Sequence, residues 1–178
     1  ESELMTKSIE TDILIIGAGP VGLFTVFEAG LLGLKCHLVD NLDKIGGQCI
    51  ELYPEKPIYD IPGVPNQTGK EHIDSLLKQI EPFDYEVHLN QRVDKIEQSG
   101  DYWIAETTDG ISFKTLNIFI AAGAGSFEPR KPPVESPDKF LGKGIDYAVR
   151  SVDKYKDKDI VIFGGGDSAL DWLSLIHI

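Results

Sequence analysis

Residues 13–22 read Ile-Leu-Ile-Ile-Gly-Ala-Gly-Pro-Val-Gly, an apolar run that leads into a G-x-G-x-x-G loop. The apolar run predicts a buried parallel strand over residues 11–16, and the residues after the loop predict a helix over 20–32. A second apolar run predicts a strand over 34–39 that ends on Asp40. Together these elements form a β-α-β unit with the glycine loop at its first turn.

The first glycine loop has the composition of a dinucleotide site. Gly17 permits a tight turn, Gly19 lets the backbone approach a pyrophosphate, and Gly22 lets the helix pack closely on the strand. The helix N-terminus then offers free N–H groups to the phosphates. Asp40 is placed to accept hydrogen bonds from ribose hydroxyls, which favours FAD or NAD over NADP. The alternative is a glycine-rich turn that binds nothing.

A second loop of the same kind occurs late in the chain. Residues 160–163 form an apolar run that predicts a strand, and residues 164–169 read Gly-Gly-Gly-Asp-Ser-Ala, a G-x-G-x-x-A loop before a predicted helix. The residue that would select NAD or NADP is expected beyond the chain. The alternative is again a turn without a ligand. Two such loops in series suggest one nucleotide cofactor that passes electrons to another.

The residues between the loops predict the domain organisation. Residues 41–68 are irregular, and Gly and Pro are frequent there. Apolar spacing predicts a helix over 69–80, and further strands are predicted over 85–89, 92–98, 102–107, 111–115 and 117–122. The proline-rich segment 129–137 marks a boundary. The predicted fold is α/β: a Rossmann-like, three-layer ββα domain over 1–128 with a β-rich insertion, then a truncated second Rossmann-like domain over 129–178.

Composition excludes several classes of function. The formal net charge of −12 argues against sequence-independent nucleic-acid binding and against an anionic membrane surface. No apolar run approaches the roughly 20 residues that span a bilayer. The two cysteines, Cys36 and Cys49, form no disulfide framework and fit a reducing cytosol, so a cytoplasmic protein is expected.

No redox dithiol, metal site or catalytic residue is predicted. The partner position in a C-x-x-x-x-C motif starting at Cys49 holds Pro54, and no cysteine lies shortly before the second loop. Both thiols are therefore predicted to be packed side chains. No metal-ligand spacing joins the four histidines, which are His37, His72, His88 and His177. Tyr53, in the long loop, is either a ring that stacks on an isoalloxazine or a half-buried loop tyrosine.

Taken together, the motifs resemble the thioredoxin-reductase-like (type 2) ferredoxin–NADP reductases. The resemblance rests on Gly-Ala-Gly-Pro-Val-Gly at 17–22, Gly-Gly-Gln at 46–48, Leu-Tyr-Pro-Glu-Lys at 52–56, Ile-Tyr-Asp at 58–60, Phe-Glu-Pro-Arg at 127–130 and Gly-Gly-Gly-Asp-Ser-Ala-Leu-Asp-Trp at 164–172. It extends from about residue 12 to residue 172. Chains of that family continue beyond this point, so these residues are interpreted as an N-terminal fragment that binds FAD poorly alone.

The resemblance implies roles for particular residues. The FAD pyrophosphate would be held by Gly17, Gly19, Pro20, Val21 and Gly22. The remaining FAD positions would be Asp40 at the ribose, Val93 at the adenine through its backbone, Gln48 at the ribityl chain, Tyr53 stacked on the isoalloxazine and Phe127 beside the flavin. The NADPH site would begin with Gly164, Gly166, Asp167 and Ser168.

The same resemblance implies an FAD-dependent reductase that passes electrons between NADPH and ferredoxin or a similar small carrier, as a homodimer when complete. Three alternatives stay open: another dithiol-free reductase of this architecture, a flavin monooxygenase, and an inactive truncated product. The monooxygenase is disfavoured, since its usual F-x-G-x-x-x-H block is missing and no histidine lies between His88 and His177.

Overall fold

The computed structural model describes residues 7–125 and 131–177. The strands are β1 (Lys7–Ile16), β2 (Cys36–Val39), β3 (Pro57–Ile58), β4 (Gln67–Thr68), β5 (Tyr85–His88), β6 (Val93–Ser99), β7 (Tyr102–Thr107) and β8 (Ile111–Ile120). The α-helices are α1 (Pro20–Leu31), α2 (Gln48–Glu51), α3 (Gly69–Ile80) and α4 (Asp167–His177), with short 3₁₀ turns at Pro137–Phe140 and Val152–Tyr155. Within these described ranges, no helix combines the length and the apolar character needed to traverse a bilayer.

Six strands form one mixed sheet in the order β5-β2-β1-β8-β7-β6. β1 lies in its middle and pairs in parallel with β2 and with β8, while β2 pairs in parallel with β5. β7 pairs antiparallel with both β8 and β6. Because β1, β2 and β8 run in the same direction, their carboxyl ends meet at one edge, where open α/β sheets bind ligands.

Apolar clusters lie on both faces of the sheet, and the mixed sheet with its helices confirms the predicted α/β fold. Helices α1 and α3 cover one face, and the buried residues between them and the sheet include Ile13, Ile15, Leu23, Val26, Leu38, Ile73 and Ile80. On the opposite face a smaller cluster joins β1 and β2 to the β6–β8 meander, through Leu14, Val39, Ala105 and Phe113. The predicted β-rich insertion is this meander.

Helix α3 has the bounds that its apolar spacing predicted. A capping box closes its first turn: the Thr68 hydroxyl accepts from the Glu71 N–H, and the Glu71 carboxylate accepts from the Thr68 N–H at 2.8 Å. These bonds satisfy two backbone donors that the helix leaves free. Ile73, Leu76 and Ile80 then lie on the buried face.

Two sequence-based predictions are wrong in detail. The strands predicted over 111–115 and 117–122 are one strand, β8, because β1 pairs with it along both halves. Residues 160–163 form no strand in the described chain, and the side chains of Val161 and Phe163 are 92% and 78% exposed. A strand needs a backbone partner, and no described residue pairs with this segment.

Candidate nucleotide-binding site

A cleft of about 710 Å³ opens at the edge where β1, β2 and β8 end. Its walls are the first glycine loop, the ends of β2 and β8, the start of α2 and the residues before β6. Of the residues predicted to hold FAD, seven line it: Gly17, Gly19, Pro20, Val21, Asp40, Gln48 and Val93. The fold therefore brings most of the predicted set, spread over 77 positions from 17 to 93, into one concave surface.

Gly17 and Gly22 let the glycine loop pack against its neighbours. Gly17 has a φ of +110°, and its N–H donates to the Val39 carbonyl at 2.8 Å. A Cβ at Gly17 would overlap the Ala121 carbonyl group at the end of β8. A Cβ at Gly22 would overlap the Gly17 carbonyl group, so α1 can approach β1 only without a side chain there. Gly22 supports the cleft without lining it.

Gly19 differs from the other two glycines because the space beside it is open. A Cβ there would meet only the Gly47 Cα, at 3.7 Å. Gly19 is also the N-cap of α1; no side chain caps this end and no acidic residue lies in the first turn. The first N–H groups of α1 therefore remain available for an anion. This cradle, which a side chain would fill, fits a pyrophosphate.

Asp40 is held by two backbone N–H groups. Its Oδ2 accepts from the Ala18 N–H at 2.7 Å, and its Oδ1 accepts from the Leu42 N–H at 2.9 Å. The carboxylate thus ties the glycine loop to the end of β2. Each oxygen keeps a second lone pair, so the role predicted for Asp40 at the ribose stays compatible with these bonds.

Tyr53 lines a second cavity, of about 570 Å³, that adjoins the cleft through Gln48 and Cys49. Its hydroxyl lies 2.7 Å from the Ser168 hydroxyl. Beside it, Lys56 donates to Asp171 at 2.6 Å, and this bond raises the pKa of Lys56. The first turns of α4 are thereby joined to the loop that carries Tyr53.

The second glycine loop lies near Tyr53 but outside both cavities. Gly164 has a φ of +142°, and a Cβ on Gly166 would meet no atom within 4 Å. Asp167 begins α4. Neither cavity is lined by Gly164, Gly166, Asp167 or Ser168. Among the described residues of the two predicted sets, the hydrogen bond between Ser168 and Tyr53 joins one set to the other.

The segment after the proline-rich boundary also contacts the long loop through Arg150. Its Nη2 donates to both carboxylate oxygens of Glu51, at 2.7 and 2.6 Å, and its Nη1 lies 3.7 Å from Asp43. The bonds to Glu51 raise the pKa of the guanidinium. Because Glu51 lines the cleft, Arg150 neutralises an acid that faces the predicted anion site.

Several lining residues were not found from the sequence. Residues 121–125, which read Ala-Ala-Gly-Ala-Gly, form the wall beyond β8. A run of small residues directly after a parallel strand was the available signal. Gln91 and Arg92 line the cleft near Asp40, whose carbonyl accepts from the Gln91 N–H at 2.9 Å, and no pattern marks them. Phe127 lies outside the described residues.

Both thiols are packed side chains in the structure, as predicted. Cys36 is fully buried in β2, and burial, reinforced by Asp12, raises the pKa of its thiol to about 11. Cys49 is half-buried, and burial raises its pKa as well. A raised pKa leaves less of the nucleophilic thiolate near neutral pH.

We therefore expect thiol reagents to label Cys36 slowly in the native protein. A pKa about two units above that of an ordinary thiol lowers the thiolate fraction at pH 8 about 100-fold, before burial is counted. Labelling with iodoacetamide, followed by peptide mass spectrometry, compares Cys36 in the native and urea-unfolded protein. Equal labelling rates in the two states would contradict the buried, protonated thiol.

Comparison with known proteins extends the similarity over almost the whole chain. Residues 11–176 match the family model described as pyridine nucleotide-disulphide oxidoreductase. A ferredoxin–NADP reductase of Bradyrhizobium sp. (strain BTAi1) is 55% identical over 174 residues, which are 97% of this chain and 51% of that protein. A ferredoxin–NADP reductase of Pelagibacter ubique is 55% identical over 164 residues, which are 92% of this chain and 48% of that protein. The chain spans about half the length of the curated relatives it matches.

Solved structures agree with this similarity. Thioredoxin reductase of Lactococcus lactis superposes with a TM-score of 0.60 at 26% sequence identity, covering 78% of this chain and 43% of that one. This superposition supports the α/β fold described above.

Proposed function

Because the chain belongs to the pyridine nucleotide-disulphide oxidoreductase family, we propose that the intact protein is an FAD-dependent ferredoxin–NADP reductase. It moves electrons between NADPH and ferredoxin or a similar small carrier. The observation that carries the proposal is the uncapped N-terminus of α1 at Gly19, which opens into the 710 Å³ cleft. The 55% identity to proteins named ferredoxin–NADP reductase supports the choice of reaction.

The cleft residues divide the work of holding FAD. The backbone N–H groups of Gly19 and Val21 lie around the start of α1, where the helix dipole favours the negative pyrophosphate. Pro20, which has no N–H, contributes shape and no donor. Asp40 and Val93 would flank the adenosine, and Gln48 would lie towards the flavin. When bound, FAD supplies the hydride and single-electron chemistry, and the protein supplies position and electrostatics.

The chain's own side chains need no acid–base or dithiol chemistry in this scheme. Cys36 is buried in β2, and Cys49 has Pro54 where a partner thiol would stand. The protein's task is to hold the cofactor and to exclude competing reactions. The missing dithiol favours a one-electron carrier such as ferredoxin as the acceptor and argues against a protein disulfide.

We further propose that residues 1–128 are the FAD domain and that 129–178 begin an NADPH domain. The second glycine loop directly before α4 supports this division. Gly164, Gly166 and Asp167 would join Ser168 at the NADPH phosphates. A cytoplasmic homodimer that binds neither nucleic acid nor membrane is proposed from the family resemblance and the acidic charge of −12.

Electron transfer by the intact protein tests the proposed function. With NADPH as donor, we expect reduction of ferredoxin and of ferricyanide, and no reduction of thioredoxin disulfide. A thioredoxin reductase assayed alongside serves as the positive control for the thioredoxin arm. NADPH-dependent reduction of thioredoxin, or a protein that transfers no electrons from NADPH to any of these acceptors, would contradict the proposal.

Replacing Tyr53 by alanine is expected to weaken FAD binding about three- to tenfold. Aromatic stacking contributes about 0.5–1.5 kcal/mol beyond the burial of area, and the alanine variant removes it. Tyr53→Phe is the matched control: it keeps the ring and loses only the hydroxyl that contacts Ser168. Flavin fluorescence gives both dissociation constants. Equal weakening in the two variants would assign the effect to the hydroxyl instead of the ring.

A further inference from the structure

A cluster of two histidines and one glutamate lies on strands β2 and β5, apart from the nucleotide cleft. Glu86 and His88 are two residues apart on β5 and therefore project from the same face of the sheet. On β2, His37 is the register partner of Glu86. A ligand-x-ligand pair on one strand with a third ligand on its neighbour brings three donors together without any special backbone geometry.

The side-chain distances suit a single metal ion. The facing ring nitrogens, His37 Nδ1 and His88 Nε2, are 2.9 Å apart, and His37 Nε2 lies 4.0 Å from a Glu86 oxygen. One donor atom from each residue can be chosen so that all three lie within 4.8 Å of one another. Two nitrogens bound to one tetrahedral Zn²⁺ at about 2.0–2.1 Å are roughly 3.3 Å apart, so the rings need only a small separation.

The three-residue cluster is closed by an aromatic ring on its inner side and is exposed to solvent on its outer side. Phe113 closes the inner side, with its ring centroid 5.1 Å from that of His88 and 6.0 Å from that of His37. His37 is only 2% exposed, whereas Glu86 is exposed and can turn towards the ion. An apolar wall strengthens electrostatic binding, and the exposed side leaves a fourth position for water.

We propose that His37, His88 and Glu86 bind one Zn²⁺ ion at the β2–β5 edge of the sheet. Two imidazoles and one carboxylate, with an open fourth position, are a donor set that zinc accepts. Binding replaces the hydrogen bond between the rings: the hydrogen on the donor ring moves to its other nitrogen, so both facing nitrogens carry lone pairs. Burial lowers the pKa of His37, and the nearby Glu86 carboxylate acts in the opposite direction.

The ion would fasten the edge strand to the strand that leads into the cleft. β5 has four residues and pairs only with β2 among the described strands. Its last residue, His88, also accepts the Asp40 N–H through its carbonyl at 2.9 Å. Zinc at this edge therefore stabilises the backbone on which Asp40 stands. The proposal is independent of the proposed reductase activity.

Lys35 is the competitor that the structure places at this site. Its Nζ lies 3.5 Å from a Glu86 oxygen and 4.0 Å from Asp84. The ammonium group repels a cation and occupies the carboxylate that the ion needs. Removing it is expected to tighten zinc binding several-fold, which is a gain that a merely disruptive substitution does not produce.

Equilibrium dialysis of the intact, chelator-treated protein against Zn²⁺, with metal analysis, tests the site. We expect one ion per chain, binding weakened about tenfold or more in His37→Gln, His88→Gln and Glu86→Gln, and binding tightened in Lys35→Ala. His72→Gln, on α3, is the matched control and should bind as the unaltered protein does. Circular dichroism checks that each variant folds.

Two results would overturn the proposal. One is an unaltered protein that binds Zn²⁺ only as weakly as scattered surface carboxylates do, with no single site per chain. The cluster would then be a hydrogen-bonded histidine pair only. The other is binding that neither Glu86→Gln weakens nor Lys35→Ala tightens. The side chains of Lys35 and Glu86 are 40% and 55% exposed, so their variants stay informative even if the buried His37→Gln variant fails to fold.

Discussion

Replacing Gly19 by alanine is expected to leave the fold intact and to weaken FAD binding about tenfold or more. In the protein alone the new Cβ meets only the Gly47 Cα, at 3.7 Å, which is an ordinary contact. In the complex it would occupy the cradle at the N-terminus of α1, where the pyrophosphate is proposed to lie. Crowding of this kind typically costs about 1–3 kcal/mol, which is a factor of roughly five to 150 in affinity.

Flavin fluorescence titration of the apoprotein gives this affinity, and thermal unfolding without FAD gives the stability. Gly165→Ala is the matched control, since a Cβ there meets no atom within 4 Å and the residue belongs to the other glycine loop. Unaltered FAD binding by the Gly19 variant would remove the pyrophosphate from this cradle. A large loss of stability of the Gly19→Ala apoprotein would show that the space beside Gly19 is filled by protein atoms.

Replacing Gly22 by alanine is expected to lower the folding stability, unlike the Gly19 replacement, which is expected to weaken FAD binding and leave the fold intact. The Cβ would overlap the Gly17 carbonyl group and would lie 3.4 Å from the Ile15 side chain. Backbone cannot move aside as a long side chain can, so α1 must shift away from β1. We expect the free energy of unfolding to fall by about 3 kcal/mol or more.

Urea unfolding of the apoprotein measures this loss. Glu28→Ala is the matched control: it lies on the exposed side of α1, so its effect should stay within about 0.5 kcal/mol. A Gly22→Ala variant as stable as the unaltered protein would mean that α1 and β1 are not held as closely as the structure has them. Weakened FAD binding is expected here only as a consequence of the shifted helix.

Local signals explain which elements the sequence predicted well. The bounds of α3 follow from Thr68 and Glu71 at its start and from apolar residues at helical spacing, all of which are readable from the chain. The sequence pattern predicts two strands, over 111–115 and 117–122, whereas pairing with β1 joins both stretches into the single strand β8. Residues 160–163 have the composition of a strand, but composition does not tell whether another strand lies beside them to form backbone hydrogen bonds.

In the candidate site, too, the features set by local sequence were predictable and those set by tertiary contacts were not. Motif spacing found the glycine loop and Asp40, and the structure assembles them around one cleft. The two backbone bonds to the Asp40 carboxylate were not predictable, since they depend on how β2 meets the loop. The pairing of His37 with His88 depends on the register of β2 with β5, which sequence spacing does not contain.

The cofactor carried by the purified intact protein tests the central claim most directly. Acid denaturation releases any bound nucleotide, and liquid chromatography against FAD, FMN and NAD standards identifies and counts it. The account predicts FAD, close to one molecule per chain once the apoprotein is saturated and gel-filtered. A protein that retains FMN or NAD in its place, or that retains no flavin after saturation, would contradict it.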